Sequence, residues 1–245
     1  MKKIDAKDIY YRELNQKIRE SIAQGETEIE LIGVNGQRYI GDGINKKVKI
    51  LIHGVPGNDL SAFMDGPTII VYSNAQDGVA NTMNEGKIVI HGHAGDVLGY
   101  GMRGGKLFIR GDVGYRVGIH MKAYKSREPV IVVGGQAGDF FGEYMAGGTL
   151  ILLGLACPNG RPLAGNYLGT GMHGGKIFFR GQITRHQLGA EVGSRYLDES
   201  DHKLLQKILM EYCEDLSLDY QEVMSKEFIK LVPVSHRPYG RLYAY

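Results

Sequence analysis

The chain has 245 residues, 29 basic and 27 acidic, for a formal charge of +2. The charges are dispersed, so no basic stripe points to nucleic acid. No run approaches the roughly 18 apolar residues of a membrane span, and two cysteines are too few for a disulfide framework or an iron–sulfur cluster held by this chain alone. The start, Met1-Lys2-Lys3-Ile4-Asp5, turns charged at once and reads as cytoplasmic, without a signal peptide. Glycine is the anomaly, with 36 residues, about twice the usual share of about 7 %. It does not follow the every-third-residue period of collagen.

In chain order, Asp5–Gln24 predicts a helix. Tyr10, Leu14, Ile18 and Ile22 recur four apart, Asp5 stands as N-cap and Gly25 at the C′ position. Next come repeats. Short apolar runs begin after Lys49, Thr68, Lys87 and Lys106, spaced by 19 residues, then after Val130, Thr149 and Lys176, spaced by 24, 19 and 27. A glycine ladder sits behind each run. Gly92-x2-Gly95-x3-Gly99 recurs as Gly111-x2-Gly114-x3-Gly118 and Gly135-x2-Gly138-x3-Gly142. Gly33-x2-Gly36 with Ile40, and Gly54-x2-Gly57 with Ser61, are worn copies, and Ser73, Gln76 and Ala80 form a copy without glycine. The wider spacings place surface insertions at Met121–Pro129 and Ala156–Ala164.

One apolar run of four or five residues per repeat is too short for a helix. One strand plus tight turns per 19 residues describes a parallel β-helix, an all-β core in a single-stranded solenoid of about eight turns between Glu28 and Arg180. At about 4.8 Å per turn the rod is roughly 38 Å long, and the handedness of parallel crossovers predicts a right-handed coil. Glycine then serves corners that need positive φ or close approach to the next turn.

Two columns follow from this register. Met64, Met83, Met102, Met121, Met145 and Met172 share one repeat position, as interior filler rather than a metal ladder. In the strands, one alternating set (Ile50, Ile69, Ile88, Leu107, Ile131, Leu150 and Ile177, with its i+2 partners) points inward. The residues between them, Leu51, Ile70, Val89, Phe108, Val132, Ile151 and Phe178, are apolar too. Strands apolar on both faces are covered on both faces. The cover is either the terminal helices of this chain or another domain or subunit, which makes that column the candidate partner interface.

After Arg180 glycine thins out. Ser200–Leu216 predicts a helix with the face Leu204, Leu205, Ile208, Leu209 and Tyr212, and Asp219-x2-Glu222 starts a shorter one. The tail carries Tyr239, Tyr243 and Tyr245 with Arg237 and Arg241, to pack back or to dock on a partner. The expected organisation is a capping helix over 1–27, the β-helix over 28–195, and a helical extension over 196–245.

Chemistry is hard to find. Gly99-x-Gly101-x2-Gly104 and Gly169-x-Gly171-x2-Gly174 match a dinucleotide fingerprint, but each precedes a strand rather than opening a helix. His53, Tyr72, His91, Arg110 and Arg180 share one strand-end position and read as an outer polar ladder. His91-Gly92-His93 lacks a third metal ligand at good spacing. Asp42, Asp59, Asp77, Asp96, Asp112 and Asp139 sit beside glycines, where aspartate suits turns, and no acid pair forms a glycosidase constellation. Cys157 lies in an insertion, away from any helix start. No catalytic, cofactor-binding or metal residue is assigned.

The triple G-x2-G-x3-G ladder, the Met-x-Gly-Gly segments and the leading helix resemble the GXGXG β-helix domain of the glutamate synthase large subunit over about residues 5–190. The resemblance implies a right-handed β-helix of mainly structural role, packed between a glutamine amidotransferase domain and an FMN-dependent synthase domain. The amidotransferase's N-terminal cysteine is replaced here by Lys2 and Lys3, and the synthase's cysteine cluster is missing. The resemblance therefore implies a stand-alone subunit of a split, archaeal-type glutamate synthase in the cytoplasm. It would have no cofactor of its own, with FMN and an iron–sulfur cluster on the partner subunits, and homo-oligomerisation is a further option. The same repeat also resembles the C subunit of formylmethanofuran dehydrogenase. An independent β-helix enzyme acting on polysaccharide is a third alternative.

Overall fold

The computed structural model describes residues 1–157 and 161–234. A short strand β1 (Lys2–Asp5) precedes helix α1 (Tyr11–Ala23). Parallel strands follow, one per repeat: β2 (Glu28–Asn35), β3 (Lys49–Val55), β4 (Asp65–Val71), β5 (Glu85–Ile90), β6 (Lys106–Ile109), β7 (Val130–Val133), β8 (Ala146–Leu152) and β9 (Gly174–Arg180). The chain ends with β10 (Val192–Arg195), α2 (Glu199–Leu216), α3 (Tyr220–Val223) and β11 (Phe228–Pro233). All strands belong to one sheet of order β1 to β9, then β11, then β10. The fold is a β-solenoid with a single sheet as its strand-bearing wall, as the repeat predicts. The eight strands β2–β9 enclose seven complete coils, one fewer than the repeats suggest.

Register is set by the repeat. Ile50 pairs with Ile69, Ile69 with Ile88, Ile88 with Leu107, Leu107 with Ile131, Ile131 with Leu150 and Leu150 with Ile177. This inner row is fully buried, and so is the methionine column from Met64 to Met172, which fills the interior as expected. A one-residue slip would turn every inner side chain outward, so burial fixes the pairing.

The glycines divide into two physical kinds. Gly114 needs close approach: a Cβ there would overlap the carboxylate of Asp96, whose Oδ1 accepts the backbone N–H of Tyr115 at 2.9 Å. Asp77, Asp112 and Asp139 likewise accept an N–H from the next coil. Gly99 needs positive φ (+65°), and its missing Cβ leaves room for Ile131. Residues at this third ladder position stay left-handed where glycine is absent, as at Ser61 and Ala80 (φ +63° and +61°).

Both ends of the solenoid differ from expectation. Residues 2–5 pair with β2 as a parallel edge strand whose exposed lysines guard the edge. Asp5 binds the N–H of Lys7 rather than capping a helix, and α1 starts six residues later without a side-chain cap. Leu14 and Ile18 of α1 join the interior core, closing that end. At the other end β11 pairs antiparallel with β9, and β10 with β11, so the sheet runs past the expected boundary at 195. Helix α2 matches its predicted span to within one residue, capped reciprocally by Asp198 and Asp201. The tyrosine-rich tail lies outside the described residues.

Candidate functional site: the sheet face and the corner wall

The outer column is covered by the chain itself. Val89, Phe108, Val132, Ile151 and Phe178 are 0–1 % exposed, packed under Leu205, Ile208, Leu209, Tyr212 and Leu216 of α2. Leu51 and Ile70, nearer the first coil, are half-buried. At those five positions an amphipathic helix of the same chain takes the place of a partner, the first of the two expected covers, whereas Leu51 and Ile70 are not closed in this way.

The seat of α2 is built from the repeat. Strand-start lysines form one rim: Lys87 pairs with Asp215 (2.6 Å) and Glu211 (3.3 Å), Lys106 with Glu211, and Lys176 with Asp201 (2.7 Å). Lys230 of β11 adds pairs to Asp201 and to Asp198 (3.2 Å). On the other rim, Arg110 donates to the Leu216 carbonyl (3.1 Å), and Arg180 to those of Val223 (2.7 Å) and Glu222 (2.9 Å), satisfying helix C-termini. The Tyr212 hydroxyl donates to the Ile109 carbonyl at 3.0 Å, and Gly134 leaves space for it. Burial opposes ionisation of Asp201 and Glu211, yet the adjacent lysines prevail and hold both carboxyls below their ordinary values. Burial pushes the Cys213 thiol up to about 11.

The polar candidates are absorbed into the scaffold. His53 lies 3.1 Å from Glu30 and stacks on Tyr72, which stacks on His91. Burial, then Arg110, lowers the pKa of His91. The His93 ring accepts the N–H of Asp112 from the next coil. Cys157 sits in the loop after β8, its Sγ 3.5 Å from the Arg161 carbonyl. Among the described residues no three His, Cys, Asp or Glu side chains group as a metal site, and no helix is long and apolar enough to cross a membrane. The first two glycines of each dinucleotide-like set, Gly99 and Gly101 and Gly169 and Gly171, are left-handed corners leading towards β6 and β9.

Those corners carry a feature the sequence reading missed. Each coil turns on three left-handed residues spaced i, i+2, i+4, as in 97–99–101, 116–118–120, 140–142–144 and 167–169–171. The middle one faces the core and is small. The outer two include Arg116, His120, Phe140, Tyr144 and Tyr167. His120 stacks on Tyr144 (5.2 Å) and meets Tyr100 edge-on (5.7 Å). Phe140 stacks on Tyr167 (4.9 Å), and the Arg116 guanidinium lies over the Phe140 ring, 4.4 Å from its centre. Glu143, 6 % exposed, pairs with Arg116 between the two ladders. Tyr100 and Tyr167 are 42 % and 55 % exposed. Aligning the positions between the glycines would have revealed these columns.

Comparison with known proteins agrees with this architecture. An uncharacterized protein of Methanocaldococcus jannaschii is 48 % identical over 249 residues, covering 98 % of this chain and 95 % of its own. A chain in the crystal structure of the formyltransferase/hydrolase complex of Methylorubrum extorquens with methylofuran superposes with a TM-score of 0.62 at 18 % identity. It covers 93 % of this chain and 89 % of that one, a likeness of fold. The family model described as GXGXG motif matches residues 13–234. The chain therefore belongs to the GXGXG motif family.

Proposed function

We propose that this protein is an assembly subunit of a glutamate synthase-type complex, packing against glutamine amidotransferase and FMN-dependent synthase subunits. Those partners supply the FMN and iron–sulfur chemistry. Family membership supports the setting. The observation that carries the non-catalytic role is the use of the acids: Asp77, Asp96, Asp112 and Asp139 each spend a carboxylate oxygen on a backbone N–H of the next coil. A second reading, a subunit resembling the C component of formylmethanofuran dehydrogenase, draws support from the fold shared with a chain of the formyltransferase/hydrolase complex. Co-expression with each candidate set, followed by size-exclusion chromatography, tests both. Co-elution with the amidotransferase and synthase subunits is expected, together with glutamate formation from glutamine and 2-oxoglutarate that the chain alone does not show. Co-elution with the dehydrogenase set instead would favour the second reading.

A further inference from the structure

We infer that the corner wall from Tyr100 to Tyr167 is the surface on which another protein subunit docks. That subunit would offer aliphatic side chains together with carbonyl and carboxylate acceptors. The inference rests on the assembly reading and adds which face is used. Its first support is a row of aromatic and basic side chains held on left-handed corners of successive coils. Arg116, His120, Phe140, Tyr144 and Tyr167 have φ between +51° and +63°, in the columns where Gly43, Gly78, Gly101 and Gly171 stand in other coils. A left-handed residue with a Cβ costs about 1–2 kcal/mol, and Tyr167, more than half exposed, recovers little of it in the core. Tyr39, Asp59, Phe63, Thr82 and Val97 share this backbone in other coils, so the strain belongs to the corner, and what sets the wall apart is the stacking of its aromatic side chains from coil to coil.

The chemistry of the wall indicates the partner. Stacking of His120 on Tyr144 and of Phe140 on Tyr167 occupies ring faces there, so those rings present their edges, which carry the positive end of the aromatic quadrupole. Tyrosine hydroxyls, His120 and Arg116 add donors along the same strip. Such a surface complements acceptors and aliphatic groups. Two copies of it would set donor against donor, which disfavours self-pairing. Tyr, Phe and Arg are also the types enriched at interface cores. The exposed halves of Tyr100, Tyr167 and Tyr115, next to Arg116 in the chain, supply about 300 Å² of aromatic surface. That is already the size of a typical monomer's largest patch, and over a third of the roughly 800 Å² each partner gives to a standard interface.

The test uses the full chain with purified glutamine amidotransferase and FMN-dependent synthase subunits from the same genome, in a binding titration. His120→Gly, Tyr144→Gly and Tyr167→Gly are each expected to weaken binding about tenfold. Their melting temperature should stay level or rise, because glycine relieves the strain. Hydrogen exchange on the wild-type complex should show protection at residues 116–120, 140–144 and 167–171. A wild-type chain that binds neither subunit overturns the assembly reading and this inference together. A wild-type complex that the variants form equally well, or one without protection at those corners, overturns this inference alone. So does a homodimer that the same variants dissociate, which would assign the wall to a second copy.

Discussion

The sheet face and the corner wall are drawn from the same repeat, yet among the described residues one is closed by the chain and the other stays partly exposed. On the sheet face from β5 to β9 the rows find counterparts in α2: apolar column against apolar stripe, Lys87, Lys106 and Lys176 against Glu211, Asp215 and Asp201, Arg110 against a helix carbonyl. On the corner wall the aromatic residues have mostly one another. A greasy row therefore shows that something covers it and leaves open what. The matching charges on a second segment of the same chain identify the cover.

The comparison breaks most sharply at Phe108. Phe108→Asp puts a charge beneath Tyr212, whose ring meets Phe108 edge-on at 5.5 Å. The cost should be about 5 kcal/mol or more, from lost packing and an unpaired buried carboxylate. Urea denaturation of the isolated chain should show it, or soluble protein should be lost. Were the sheet face an open partner surface, the variant would unfold like the wild type.

Next in size is the ladder that both regions share. Gly114→Ala pushes a methyl into the Asp96 carboxylate and disturbs its bond to Tyr115, for about 2–3 kcal/mol. Adding Asp96→Ala removes the obstacle, so the double variant should be less destabilised than the sum of the singles. An additive result would mean that the glycine is there for another reason.

Acid should loosen the covered face before the rest. Asp201 and Glu211 titrate below their ordinary values in the folded chain. Their contribution is therefore full above the unfolded carboxylate range near about 4 and is lost as pH falls through the depressed folded values. Cys213, a buried residue of α2 that is 4 % exposed, reports the event. In a Cys157→Ser background its labelling by an acid-tolerant disulfide reagent should stay slow down to about pH 5 and accelerate below about 4. Lys176→Met should bring the onset to higher pH. Labelling independent of pH would show that the lysine rim does not hold the helix.

Much of this architecture was legible in the sequence, and the failures have physical causes. The period of 19 survives in β3–β6 because each coil must stack in register, so inner rows and methionines were readable from spacing alone. Strand β1 was hidden because Lys2-Lys3-Ile4-Asp5 buries only Ile4, too little for a period-two signal. Strand β11 continues the sheet antiparallel, outside the repeat, and so carried none of its marks. The aromatic wall was missed because residue type does not announce a left-handed backbone. Tyrosine at φ +60° looks like any exposed tyrosine until its column is aligned with glycine.

The smallest effect separates strain from use. Thr82 stands at φ +52° in the same outer column as His120 and Tyr144, in a coil without wall aromatics. It is β-branched, the least comfortable kind of side chain in that conformation, and its hydroxyl makes one bond, to Asn81 at 3.0 Å. Thr82→Gly relieves about 1–2 kcal/mol of strain and gives back part of it through that bond and the freer unfolded chain. The net gain should be about 0.5 kcal/mol by urea denaturation, with subunit binding unchanged. A gain there beside a binding loss at Tyr144→Gly would mean that one backbone geometry serves two ends: a residue kept without need, and a side chain held out for a partner. A loss of stability at Thr82→Gly would mean instead that the corner tolerates side chains freely, and relief of strain would no longer account for wall variants that keep their melting temperature.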